Sequence, residues 1–170
     1  MAFEIYDSSA PVFVTVMRNM RAWLDKAAAE KPEAELMEAR LIADMHPLPR
    51  QYQIASDTAR NGIARLAGIE QTSVPDTEAS FAELKQRCDN TIAYIEGVDR
   101  SAFDGAAGRT IEVKFPNGMG YRFNGADYLR GFALPNLYFH ATVAYAIMRA
   151  QGVSLGKPDF LQHLGMPVQL

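Results

Sequence analysis

The chain is poor in the residues that make disulfides and metal centres: its 170 residues include one cysteine and three histidines. A lone Cys88 excludes an internal disulfide and fits a reducing compartment. The histidines are His46, His140 and His163, and no His-x-x-x-His pair occurs. Basic residues are not in excess either: 17 Lys and Arg stand against 20 Asp and Glu, a net charge of −3. That balance lacks the surplus that phosphate backbones demand, so nucleic acid is excluded as a partner. No apolar run reaches the roughly eighteen residues that a membrane span requires, and MAFEIYDSSAPVF has no basic region ahead of an apolar stretch. The expectation is a soluble cytoplasmic protein with no membrane partner. Serine hydrolase, phosphate-loop and dinucleotide fingerprints are also missing: there is no GxSxG, no GxxxxGK[ST] and no GxGxxG.

What is present is an ordinary globular composition, 48% hydrophobic and 22% charged. A chain this long buries roughly 70% of its unfolded surface in one core, so residues 1–170 read as a single domain. Four long segments carry helical periodicity. The first, from about Ser9 to Lys31, sets Phe13, Val16, Met17, Met20, Leu24 and Ala27 on one face, with Ser9 as cap and Pro11 in the first turn. A shorter amphipathic piece, Pro32 to Met45, runs into the break HPLP. The second long helix spans about Pro49 to Ala67 and ends on Gly68. The third opens at Asp76, assisted by Glu78, and ends near Gly97. Cys88 falls on its apolar stripe of Phe81, Leu84, Ile92 and Ile95, where a small core residue is expected rather than a nucleophile.

Between Arg109 and Phe123 the period changes from 3.6 to 2, and Asn117-Gly118 predicts a hairpin turn, because both residues tolerate positive φ. A two-stranded hairpin is marginal alone and must lean on the helices. From Asn124 to Leu161 the pattern reads as one long helix, apolar around most of its circumference and covered on both faces, with a kink or local unwinding near residue 131 caused by Pro135. Four amphipathic helices with one short hairpin between the third and fourth indicate an all-α four-helix bundle.

Polar residues on the fourth helix mark the candidate site. Phe132, Asn136, His140, Val143 and Ile147 share one stripe, with Tyr138 on the stripe beside it. Asn136 and His140 either satisfy polar groups of a neighbouring helix or line a pocket in which His140 is ligand, base or hydrogen-bond donor. Arg40 and Asp44, four apart beside the double-proline break, pair on one helix face. A mixed metal site of His46, His140 and a carboxylate such as Asp44 or Asp57 is the metal-binding alternative.

The segments ARLIADMHPLPRQYQIASD, ARLAG, PNLYFHATVAYAIMRAQGV and GKPDFL together resemble an uncharacterised bacterial family. It is a domain of unknown function grouped with the DinB-like (YfiT-like) helical bundles, and the likeness runs from YDSSAPVF to GKPDFL. The resemblance implies four helices in up-down-down-up order, homodimers, and a divalent metal such as zinc, nickel or manganese held by three histidines. One of those histidines lies near the start of the second helix, and two lie four apart on the fourth. In some relatives the metal activates a low-molecular-weight thiol. Here His46 matches the first position and His140 one of the pair, while Asn136 and Ala144 stand one turn to either side of His140. Two functions follow. One is a small-ligand-binding or regulatory protein with a metal-free pocket of Arg40, Asp44, Asn136, Tyr138 and His140. The other is a metal-dependent thiol transferase or hydrolase using His46 and His140. A purely structural subunit is the third reading.

Overall fold

The computed structural model describes residues 4–165, 168 and 169. It is mostly helical, with one small antiparallel sheet. Helix α1 (Ile5–Glu30) buries Phe13, Met17, Met20, Trp23, Leu24 and Ala27 at the spacing the sequence predicts. It begins earlier than Ser9, because Ser9 does not cap it. The Ser9 hydroxyl instead donates back to the Ile5 carbonyl at 2.6 Å, and Pro11 sits inside the second turn. Helix α2 (Glu33–Glu38) is shorter than expected, since Ala39 is already extended at φ −66 and ψ 139. Residues 39–47 then form an irregular approach to α3 (Leu48–Ala67), tied by the Leu48 N–H to the Ala39 carbonyl at 3.0 Å. Gly68 ends α3 in the left-handed region at φ 70, as its position predicts.

Helix α4 (Phe81–Glu96) starts later than Asp76. Ser80 is its cap, accepting from the Glu83 N–H at 3.2 Å, while Asp76 and Glu78 are drawn to arginines instead. Strands β1 (Thr110–Lys114) and β2 (Gly120–Asn124) pair antiparallel, with Glu112 opposite Arg122. In the turn only Gly118 has positive φ, at 81; Asn117 does not, and its side chain accepts from the Met119 N–H. The hairpin leans on the helices as its marginal stability requires. Ile111 and Val113 are buried, and Phe123 packs 6.0 Å from both Tyr128 and Phe132.

The segment after the hairpin is interrupted. It consists of α5 (Gly125–Tyr128), a π-helical turn (Leu129–Ala133) and α6 (Leu134–Ala150), so the unwinding expected before Pro135 takes the form of a widened turn. The helix also stops eleven residues short of Leu161. Gly152, at φ 80, donates to the Arg149 carbonyl and Val153 to the Met148 carbonyl, a Schellman closure that ends α6. A short α7 (Lys157–Phe160) follows, and its backbone carbonyls receive Trp23 Nε1 and Asn19 Nδ2 from α1.

The four long helices surround one core. Arg18–Glu96, Arg21–Asp89 and Asp25–Lys85 pair α1 with α4 in reverse chain order, so those helices are antiparallel. Gln51–His140 and Thr58–Asn136 show the same for α3 and α6. Gly62 lets the helices approach closely: a Cβ there would lie 2.9 Å from the Phe13 ring and 3.9 Å from the Ala133 methyl. Among the described residues no helix is long and apolar enough to cross a membrane.

Candidate functional site

The antiparallel contact of α3 with α6 carries the polar interior of the molecule. His140 faces α3 from the buried side of α6, with 9% of its surface exposed. Its Nδ1 lies 2.7 Å from Oε1 of Gln51, which is itself 1% exposed. The Gln51 amide nitrogen in turn donates to the backbone carbonyl of His46 at 3.0 Å. Nε2 has no hydrogen-bond partner among the described residues. It is not one of the fully buried unpartnered atoms either. Burial, with the nearby charges of His46 and Arg50, pushes the imidazole down from 6.5 to about 4. At neutral pH the ring is therefore uncharged. The arrangement can accept a hydrogen bond or a proton at one unpartnered nitrogen while the other is held by Gln51.

The remaining candidates do not all converge on this point. Asn136 does face α3, donating to Thr58 Oγ1 at 2.7 Å, one turn from His140. Tyr138 is on a different side of α6, 41% exposed, in a groove of about 310 Å³ with Pro11, Thr15, Asn19, Phe160 and His163. A helix advances about 100° per residue, so Tyr138 and His140 cannot share a face. Phe139 is 55% exposed as well, so α6 is covered less completely than its composition suggests. Arg40 and Asp44 are exposed and lie beyond the end of α2, without the helical spacing that would pair them. Arg40 donates to the Met45 carbonyl instead, at 2.7 Å.

Comparison with known proteins assigns the chain. Residues 5–161 match the model of a domain of unknown function, DUF1993. The chain belongs to this family. It is also similar to a protein of known crystal structure, a DinB family member from Shewanella denitrificans: 38% identity and a TM-score of 0.86, over 98% of this chain and 95% of that one. No curated protein matches it.

A three-histidine metal site, implied by the DinB resemblance, can be tested against the donors this DUF1993 chain provides. Among the described residues no three His, Cys, Asp or Glu side chains are placed so that they could hold a metal ion. Ala144, one turn beyond His140, is fully buried, and Asn136, one turn before, spends its amide on Thr58. Asp57 is held by Arg87 at 2.7 Å, and Asp44 lies exposed in the approach to α3. These residues do not fit a three-ligand ion. The chemistry of the site rests on the imidazole and the amide beside it.

A second polar cluster, centred on Arg87 of α4, is absent from the sequence reading. Its side chain is 3% exposed and meets Asp57 at 2.7 Å, Asp76 at 3.1 Å and Glu78 at 2.8 Å. Arg50 pairs with Asp76 and Gln53 with Glu78, closing the network. Burial pushes Glu78 up, but the hydrogen bonds from Arg87, its own backbone and Gln53 outweigh it, so its carboxyl ends below the usual range. Burial and the neighbouring Asp76 charge hold Asp57 above its usual range in spite of Arg87. Three carboxylates crowd this guanidinium, which fixes the loop before α4 to α3. Spacing offered a signal, since Arg87 lies three residues after Leu84 and four before Thr91, level with the buried stripe. The actual first neighbour of His140, Gln51, was one of several polar residues at the start of α3 and carried no such mark.

Proposed function

We propose that this protein is a small-ligand-binding or regulatory bundle whose site is centred on His140 and works without a bound metal. The observation that carries this reading is an enclosed, neutral imidazole with one nitrogen committed to Gln51 and the other open. A second nitrogen sealed off without a partner would cost about 1–3 kcal/mol, so the free Nε2 is a position that a ligand donor can fill. His46 and Arg50 border the site, and Asn136 lies one turn away. Arg40 and Tyr138 are further off, Tyr138 in the groove of α1 and the C-terminal segment.

The same proposal takes the protein as a cytoplasmic, bacterial homodimer with up-down-down-up helix order. Support for the order comes from the reversed pairings of α1 with α4 and of α3 with α6. Support for self-association comes from exposed apolar side chains such as Phe139 at 55% and Ile42 at 61%. Light scattering at several concentrations tests the dimer.

The site itself is tested on untagged protein by following the His140 and Gln51 side-chain resonances, first against a fragment library in the absence of metal and then against zinc, nickel and manganese. The expected result is fragment-induced shifts at His140 and no stoichiometric metal uptake. Uptake of one ion per chain, abolished by His140→Gln, would overturn the metal-free reading.

A further inference from the structure

We infer that Gln51 is a positioning residue that fixes the tautomer of His140, so that the site selects ligands which donate a hydrogen bond. This rests on the reading of His140 as the binding group. The argument begins at the His46 carbonyl, which can only accept. The end of the Gln51 side chain 3.0 Å from it is therefore the NH2 group, and the other end, 2.7 Å from the imidazole, is the amide oxygen. An amide oxygen also only accepts, so the proton of the neutral ring sits on Nδ1. Turning the amide over would place oxygen against oxygen at His46. Turning the ring over would put a C–H against Gln51 and leave a buried oxygen unpaired. Both changes forfeit a hydrogen bond inside the protein, where Gln51 is 1% exposed.

Nε2 is then a lone pair without a partner among the described residues. It cannot donate. A ligand that offers only acceptors, such as an ether, gains nothing there, while a phenol, an alcohol or a protonated nitrogen does. Selection between such ligands follows because an acceptor-only ligand that displaces water from Nε2 leaves that lone pair unpaired. The backbone of the α3 entry thus reaches the ligand through two side chains: His46 carbonyl to Gln51, Gln51 to His140, His140 to donor.

Nitrogen-15 spectra of the histidine ring distinguish the two nitrogens directly. In the wild type Nδ1 is expected to carry the proton. Gln51→Glu should keep it there, since a carboxylate also accepts. Gln51→Leu should shift the population towards the Nε2–H form that free histidine favours in water, a change that loss of packing alone does not produce. Titration with phenol and with anisole, its methylated counterpart, reads the ligand class: phenol should move the His140 signals and anisole should not. A wild-type ring protonated on Nε2, or a tautomer unchanged in Gln51→Leu, would overturn the role of Gln51 and leave His140 standing as the binding group. Should Gln51→Leu not fold, the wild-type and Gln51→Glu tautomers still decide the matter. Equal responses to the two probes would overturn the ligand class. If neither probe moves His140 and fragments collect only in the Tyr138 groove, the reading of the site fails with it.

Discussion

Acid should weaken this fold through His140. In the native protein the ring sits at about 4, pushed down from 6.5 by burial and by the charges of His46 and Arg50. The unfolded chain therefore binds a proton at a pH where the native chain does not, and stability must fall as pH falls through that interval. The contribution of the neutral ring is complete above about 6.5 and is lost progressively towards about 4. That distance is worth about 3 kcal/mol at about 1.4 kcal/mol for each tenfold change in proton binding. Against a total stability on the order of 5–15 kcal/mol, the loss is large. His140→Gln supplies the control, because its side chain is neutral at every pH and can still bond Gln51. Urea unfolding of both proteins from pH 7 to pH 4 should show the wild type losing about 3 kcal/mol relative to the variant. Other titrating groups are common to the two proteins and cancel. Parallel curves would mean that the imidazole is solvated in the native state, and the argument for an enclosed site would be wrong.

Replacing Arg87 with Met removes the only guanidinium bonded to Asp57 and Glu78 among the described residues, which is expected to cost about 2–3 kcal/mol; Asp57 and Asp76 each keep 35% exposure, which trims the penalty. Calorimetry should record a fall in Tm of roughly 5–10 °C, with Arg87→Lys restoring little because an ammonium cannot span the same carboxylates. Gly152→Ala should cost about 1 kcal/mol in urea denaturation, since residue 152 holds φ 80 and the added methyl would lie 2.9 Å from Lys31 Nζ. Cys88, 1% exposed and pushed up to about 12 by burial, should resist a thiol reagent at pH 8 until the protein is unfolded; rapid labelling of the native protein would show an opening that the packing does not provide.

Much of the architecture could be read from periodicity because burial is a property of whole helix faces. Phe13, Met17, Met20 and Leu24 repeat at three and four residues, and a segment with that repeat can satisfy its apolar side only by packing it inward. The stop at Gly68, the hairpin and the unwinding before Pro135 were legible for a similar reason, as glycine and proline act on their own backbone. Errors gathered where two segments compete for the same residue. Asp76 and Glu78 look like a helix start, but Arg87, eleven and nine residues away, claims them. Residues 39–47 look helical until the Leu48 N–H takes the Ala39 carbonyl.

The site divides along the same line. His140 stood out in the sequence, with Asn136, as a polar residue on an apolar helix, because hydrophobic periodicity makes such an interruption visible. Which groups meet it is a matter of distance across 89 positions of chain, and no local pattern encodes that Gln51 rather than Arg40, Asp44 or Tyr138 lies at 2.7 Å. Composition and spacing determined the helices, the hairpin and the buried imidazole. Only the packing of α3 against α6 decided its partner, since a hydrogen bond forms between neighbours in space and the chain fixes those only once it is folded.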